Sequence, residues 1–251
     1  MATSWQFRPP EAQLHWNSVR ATLNVSQPEQ GLRDVQPFFG PASLAGFFQL
    51  QLAPGAVGSE VKLADAYVRL NDLIANYGET EARPFSVQIY WRMLGDLARK
   101  GVSAALELIV STQTNLLDTH PQVATVTTLP DSEVYRLAND PAGTPFQLLA
   151  PETTGQTLTR ETGTGCLLFR PGGANFSYAE MVHPVDFQNC ELSCSTEGLV
   201  SARQSVISRW MEKGVIVRAR LRGIFVDRKD DFATTAACYW DFCAAQAPLT
   251  V

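Results

Sequence analysis

Hydrophobic and polar residues alternate strictly in several segments of the chain, and segment 85–93 shows the pattern most clearly. One side of an extended backbone would carry Phe85, Val87, Ile89, Trp91 and Met93. The other side would carry Ser86, Gln88, Tyr90 and Arg92. A period of two is typical of a β-strand, because successive side chains of a strand point to opposite faces of the sheet. The segment therefore predicts a strand with one face on the core and one facing solvent or a ligand.

A second alternating segment, 215–225, has an arginine-rich polar side. Its apolar side carries Val215, Val217, Ala219, Leu221 and Phe225. Its other side carries Arg218, Arg220 and Arg222. Segment 101–114 is apolar on both sides, which indicates a strand near the centre of its sheet.

Shorter strand patterns recur along the whole chain, and clusters of Pro, Gly, Asn and Asp such as "NDPAGTP" and "RPGGAN" separate them. Many strands at short intervals, without alternating helical segments, are typical of an antiparallel sandwich or barrel. We therefore expect residues 1–251 to form one all-β domain, a large antiparallel β-sandwich.

Two segments predict helix. Residues 230–246 are rich in alanine, begin with Asp230 and Asp231 as capping residues, and precede Pro248. The buried stripe of this C-terminal helix would comprise Phe232, Ala236, Tyr239, Trp240 and Cys243. The segment 94–100, "LGDLARK", predicts a short helical turn between strands.

Two short stretches resemble each other at a distance of 114 residues. "YVRLNDL" at 67–73 and "MVHPVDF" at 181–187 match, and "KGV" at 100–102 recurs at 213–215. Two explanations stay open, which are coincidence and an internal duplication with halves at about 60–115 and 175–228. In a duplication, Asp72 would superpose on Asp186 and Gly101 on Gly214.

Composition narrows the classes of partner. The chain carries 20 basic and 25 acidic residues, a net charge of −5, without the basic stripe of a nucleic-acid-binding protein. It has no apolar stretch long enough to cross a bilayer, and its N-terminus lacks the pattern of a secretory signal. The five cysteines show no C-x-x-C spacing. We therefore expect a cytoplasmic protein with reduced thiols that binds neither nucleic acid nor membrane.

The familiar motifs of metal, nucleotide and hydrolase sites are absent from the sequence, so we expect no metal and no cofactor.

His183 is the strongest candidate for proton transfer. It precedes Pro184, and Glu180 and Asp186 flank it at three residues on either side. An imidazole between two carboxylates can serve as general acid or base near neutral pH. Glu180 and His183 share a face only if the chain bends before Pro184. The alternative is that Asp186 caps a loop and His183 is a structural edge residue.

Six other residues are candidates for ligand binding. Arg69 and Asp72 lie at a predicted strand end, where they could line a polar pocket or simply form a turn with a local salt bridge. Tyr90 and Arg92, together with Arg218, are expected on polar sheet faces.

Arg220 joins this set, since it shares one strand face with Arg218 and Arg222. Like charges this close require carboxylates or an anionic ligand opposite them. Guanidinium groups and aromatic planes suit the acidic groups and rings of sugars. Pairing with Asp or Glu on neighbouring strands is the alternative.

A large antiparallel domain with a repeated sequence pattern, and with a histidine and carboxylates near a polar sheet face, resembles the galactose-mutarotase-like supersandwich group. The resemblance implies carbohydrate binding or sugar epimerisation, with a carbohydrate or an acidic small molecule as ligand. A non-catalytic structural or interaction module, with sheet edges or the C-terminal helix as a surface for homo-oligomers, is the alternative.

Overall fold

The computed structural model describes residues 5–16, 19–36, 46–52, 61–95, 101–139, 146–150 and 155–246. The strands of this part of the chain are β1 (Trp5–Arg8), β2 (Glu11–Trp16), β3 (Val19–Asn24), β4 (Arg33–Gln36), β5 (Gly46–Gln51), β6 (Leu63–Arg69), β7 (Asp72–Tyr77), β8 (Ser86–Met93), β9 (Val102–Gln113), β10 (Gln122–Pro130), β11 (Ser132–Leu137), β12 (Phe146–Leu149), β13 (Gln156–Thr159), β14 (Cys166–Pro171), β15 (Phe176–Val182), β16 (Asn189–Cys194), β17 (Leu199–Ser208) and β18 (Ile216–Asp227). One helix, α1, spans Asp231–Ala244. The prediction of an antiparallel β-sandwich with a C-terminal helix is confirmed.

The strands form three antiparallel sheets in two layers. The large sheet has nine strands in the order β12-β11-β14-β15-β18-β9-β8-β7-β6, and the smaller sheets have the orders β13-β16-β17-β10-β5 and β1-β2-β3-β4. A backbone bridge between Leu32 and Phe47 joins the two smaller sheets. Gly31, at φ +62°, allows this junction, because a Cβ there would lie 2.3 Å from the carbonyl oxygen of Phe47.

The main core fills the space between the large sheet and the two smaller sheets. Residues of all three sheets, such as Leu14, Leu50 and Trp91, belong to one buried cluster. The predicted apolar sides are confirmed for the odd-numbered residues from Phe85 to Met93 and from Val217 to Leu221, which are buried in this cluster. Val215, at the start of the second segment, is exposed, because it lies before the first residue of β18. The period of two thus places one face of each strand in the core, as expected for half-buried strands.

Helix α1 packs on the opposite face of the large sheet, against β14, β15 and β18. The predicted range is confirmed to within two residues, but the predicted buried stripe is partly wrong. The buried residues are Asp231, Thr235, Cys238, Tyr239 and Phe242. Trp240 is exposed, because the helix is rotated so that Phe242 and Cys238 face the sheet. The predicted turn at 94–100 lies mostly outside the described residues.

The matching stretches occupy different places in the fold. Gly101 and Gly214 both have positive φ and both precede a central strand of the large sheet, β9 or β18. Asp72 begins β7, whereas Asp186 lies in the turn between β15 and β16, which belong to different sheets. Internal duplication stays a prediction.

The helix that the structure describes is too short to cross a membrane. All five cysteines are present as free thiols, and Cys166, Cys190 and Cys238 are buried.

Asp231 fixes the start of helix α1 to the sheet. Its buried carboxylate accepts two hydrogen bonds from the guanidinium of Arg170, at 2.9 and 2.6 Å, and one from the hydroxyl of Ser177. It also accepts a bond of 2.8 Å from the backbone N–H of Phe232. A carboxylate with four donors holds the helix, the β14 strand and the β15 strand together.

We predict that Asp231→Ala lowers the free energy of unfolding by about 2–4 kcal/mol, because Arg170 and Ser177 lose their buried acceptor. Urea titration followed by circular dichroism measures this change. Asp230→Ala is the matched control, since Asp230 is exposed and its side chain makes no capping bond, and it should change stability by less than about 0.5 kcal/mol. Equal losses in the two variants would contradict the prediction.

Candidate functional site

The face of the large sheet that points away from the smaller sheets carries three parallel rows of side chains, and we call it the outer face. Strand register places five residues of β6, β7, β8, β9 and β18 side by side in each row. The charged row is Arg69, Asp72, Arg92, Glu107 and Arg222. The middle row is Tyr67, Ile74, Tyr90, Ile109 and Arg220. The polar row is Asp65, Asn76, Gln88, Ser111 and Arg218.

The charged row forms ion pairs between neighbouring strands. Arg92 binds Asp72 with two hydrogen bonds of 2.8 Å, and this bond to the carboxylate raises the pKa of Arg92. Arg222 donates to Glu107 at 2.8 Å, and both side chains are buried. The ion-pair partner of Asp72 is therefore Arg92 on the next strand.

The middle row is apolar in its centre. Ile74, Tyr90 and Ile109 form a small buried cluster separate from the main core. Tyr90, predicted to face a ligand, is only 7% exposed, because it packs between the two isoleucines. Its buried ring leaves little surface for a sugar.

His183 continues the middle row beyond Arg220. Its backbone N–H donates to the carbonyl oxygen of Arg220 at 3.0 Å, and its ring stands edge-on to Phe242 of helix α1 at 5.4 Å. Burial lowers the pKa of His183, and the neighbouring guanidinium of Arg220 lowers this pKa further. Tyr90 lies three strands away, about 14 Å at the usual strand spacing. The structure therefore joins His183 to Arg220 and the helix, and separates it from Tyr90 and Arg92.

Asp186 closes a turn that begins at His183. The backbone N–H of Asp186 donates a hydrogen bond of 2.8 Å to the carbonyl oxygen of His183. The carboxylate of Asp186 accepts a hydrogen bond of 2.9 Å from the backbone N–H of Arg220. Burial raises the pKa of Asp186. The contact between Asp186 and His183 thus runs through the backbone, and the carboxylate holds the turn to β18.

Glu180 lies on the opposite face of the sheet from the outer rows. Its carboxylate is buried between the sheets, where it accepts hydrogen bonds from the hydroxyls of Thr127 and Tyr178. Strand β15 stays in regular register with β18 through Val182, so the bend that would bring Glu180 to His183 is not present. The predicted cluster of Glu180, His183 and Asp186 therefore does not form, because the carboxylate of Glu180 points to the other face of the sheet.

Gly223 leaves the space for the Tyr178 hydroxyl that binds Glu180. A Cβ at position 223 would lie 2.6 Å from the tyrosine oxygen.

Four residues of the polar row, Asn76, Gln88, Ser111 and Arg218, line a groove of about 330 Å³ at one end of β7, β8, β9 and β18. Gln88 donates to the amide oxygen of Asn76 at 2.8 Å, and Arg218 donates to the hydroxyl of Ser111 at 3.2 Å. This volume falls at the lower end of the range for small-molecule sites, roughly 300–1,000 Å³. Two amides, a hydroxyl and a guanidinium therefore meet in one concave space.

The groove offers hydrogen-bond donors and acceptors rather than groups that transfer protons. Among the residues that line it, the structure describes one cation, Arg218, and no carboxylate or imidazole. The neighbouring carboxylates of Asp72 and Glu107 are held by arginines. No set of three or more His, Cys, Asp or Glu side chains that could hold a metal ion occurs in the described part of the chain.

Three groove residues, Asn76, Gln88 and Ser111, were not among the candidates from the sequence. The alternation did predict that Gln88 points away from the core. The sequence pattern does not show which strands are neighbours, and without the strand order these three residues are ordinary polar positions on separate strands.

The structure is similar to solved structures of sugar-related proteins. A provisionally assigned mutarotase from Salmonella typhimurium matches with a TM-score of 0.56 and 9% identity, over 89% of this chain and 93% of that chain. A galactose mutarotase-like protein from Lactobacillus casei matches with a TM-score of 0.51 and 8% identity, over 85% and 99% of the two chains. An alpha-galactosidase from Lactobacillus brevis matches with a TM-score of 0.57 and 5% identity, over 89% of this chain but only 40% of the galactosidase.

No protein-family model and no curated protein matches the amino-acid sequence. The similarity therefore lies in the architecture. The chain has the galactose-mutarotase-like fold, which confirms the resemblance at the level of architecture.

Glu180 makes stability depend on pH. Burial raises its pKa from 4.5 to about 7, although the bonds from Thr127 and Tyr178 act in the opposite direction. Between these two values the folded protein binds more protons than the unfolded chain does, so the contribution of Glu180 to stability is lost as the pH rises.

We predict that the free energy of unfolding falls by roughly 3 kcal/mol more in the wild type than in Glu180→Gln between pH 4.5 and pH 7.5. The amide of the variant has nearly the same shape and does not ionise. Urea titrations at each pH measure the difference between the two proteins, which removes the contributions of other titrating groups. Parallel stability curves would show that Glu180 does not titrate in this window.

Proposed function

We propose that this protein binds carbohydrate in the groove of the polar row. The observation that carries the proposal is the convergence of Asn76, Gln88, Ser111 and Arg218 from four neighbouring strands on one concave space. Sugar hydroxyls both donate and accept hydrogen bonds, and amide, hydroxyl and guanidinium groups offer complementary partners. The proteins with the same fold are described by sugar-related names, which supports the same ligand class.

Rigid strands hold the groove residues in place. Each of the four residues lies within three residues of one end of a paired strand. The Gln88–Asn76 and Arg218–Ser111 hydrogen bonds orient the polar groups before a ligand binds. Preorganised polar groups reduce the entropy that is lost on binding. This arrangement favours a binding site over a merely solvated sheet surface.

A more specific version of this proposal is that the protein also modifies the bound sugar, for example by epimerisation. Epimerisation needs a group that donates a proton and a group that accepts one on opposite sides of the reacting sugar atoms. His183, which follows β15 next to Arg220, remains the candidate for such a role, and that role stays a prediction. The groove itself supports binding whether or not turnover occurs.

We predict that Gln88→Ala weakens sugar binding about tenfold, because the ligand and Asn76 both lose a hydrogen-bond partner in the groove. Isothermal titration calorimetry with galactose, glucose, galacturonate and glucuronate measures the affinities. Gln147→Ala is the matched control, since Gln147 is an exposed glutamine on β12 at the far edge of the same sheet. Unchanged affinity in Gln88→Ala, or no binding of any of these sugars to the wild type, would overturn the proposal.

The groove also suits an acidic sugar, because Arg218 in its lining carries a positive charge. We predict that Arg218→Gln lowers the affinity for galacturonate about tenfold more than the affinity for galactose, since a hydrogen bond between charged groups is stronger than one to a hydroxyl. The same calorimetric titrations give this ratio. An equal loss for the two sugars would show that Arg218 does not read the acidic group.

A further inference from the structure

Two loops at the end of the groove expose several large apolar side chains. The loop after β9 carries Leu116 and Leu117, and the loop before β18 carries Trp210 and Val215, followed by Ile216. Leu117 is 82% exposed and Trp210 is 70% exposed. We call these five residues the apolar rim.

The apolar rim is continuous with the groove. Ile216 belongs to both, and Gln113, which lines the groove, leads directly into the loop of Leu116 and Leu117. A ligand that fills the groove and extends past Ile216 would therefore contact the apolar rim.

Trp210 is held firmly although its ring is exposed. The next residue, Met211, forms two backbone hydrogen bonds with Thr119, at 2.8 and 3.0 Å, which join the two loops. The buried sulfur of Met211 accepts a hydrogen bond of 3.3 Å from the hydroxyl of Thr112, and Thr112 itself lines the groove. The ring of His120 lies 5.0 Å from the indole ring. These contacts fix the backbone next to Trp210, and 70% of the Trp210 side chain remains exposed.

A sugar ring fits such a position. The C–H groups of a pyranose form an apolar face that packs on an indole ring, while its hydroxyls remain free to bind polar groups or water. An exposed tryptophan costs solvation free energy that the fold does not recover, so a large exposed apolar surface indicates a binding role. The direct connection to a polar groove favours a saccharide over an apolar protein surface as its partner.

We propose that the apolar rim is a second sugar subsite, and that the ligand is an oligosaccharide with one ring in the groove and an adjoining ring stacked on Trp210. This inference rests on the proposed function and specifies its ligand class. The groove supplies hydrogen bonds to the first ring, and the rim adds affinity that grows with chain length.

The test compares ligands of increasing length on the full chain. Calorimetry and intrinsic tryptophan fluorescence are measured with galactose, galactobiose and galactotriose, and with galacturonate and its dimer and trimer. The wild type should bind a trimer at least about tenfold more tightly than the matching monomer. Trp210→Ala should remove this gain and change the affinity for the monomer less than about twofold, and Trp210→Phe should keep part of the gain. Trp240→Ala, on the partly exposed face of helix α1, is the control and should change neither affinity.

The outcomes separate the two proposals. If Gln88→Ala weakens binding but Trp210→Ala affects all chain lengths equally, the second subsite is wrong and the groove stands. If Trp210→Ala changes the oligomeric mass in solution and leaves saccharide binding as in the wild type, the rim is a protein-interaction surface and the second subsite is wrong. If the wild type binds none of these saccharides, both proposals fail.

Discussion

The pairing of β9 with β18 is the interaction on which the arrangement of the outer face depends. These two twelve-residue strands lie side by side in the middle of the large sheet, and they join β6, β7 and β8 to β15, β14 and β11. Their register sets Glu107 opposite Arg222 and Ser111 opposite Arg218. A shift by one residue would exchange the two faces of a strand, moving apolar residues out of the core and arginines into it. The core therefore also fixes the rows on the outer face.

The three arginines of β18 show how one strand face can carry several like charges. Arg222 is paired with Glu107 and lies over the ring of Phe242, with 4.5 Å between the guanidinium carbon and the ring centroid. Arg220 donates to the carbonyl oxygens of Ala245 and Gln246 at the end of helix α1, where the helix dipole is negative. Arg218 donates to Ser111 at the groove. Each guanidinium thus meets a different kind of acceptor, and the one nearest the groove contributes charge to the candidate site.

The two faces of the large sheet have different surroundings. The inner face packs in the core and contributes to stability, whereas the outer face carries the candidate groove. On the inner face, Glu180 is a buried carboxyl held by hydroxyls between the sheets, where its ionisation works against folding. On the outer face, polar residues remain accessible beside rigid strands. The fold is shared with proteins at 5–9% identity, so the architecture alone does not specify a ligand. In this chain, the proposed ligand specificity depends on the side chains of the groove and the apolar rim.

The sequence by itself determined the all-β class, the strands at 85–93 and 215–225, the buried sides of both strands and the range of the C-terminal helix. These features depend on alternation and capping within a few residues, so they can be read locally. The buried face of helix α1 was only partly predicted. Phe242 is buried and Trp240 is exposed because of the position of the sheet against which the helix packs, and the local sequence does not show that position. Only the tertiary structure decided that Asp72 pairs with Arg92, that Glu180 and His183 lie on different faces, and that Asn76, Gln88 and Ser111 meet in one groove. The physical reason is that strand order and register arise from contacts between residues far apart in the chain, which a local pattern does not record.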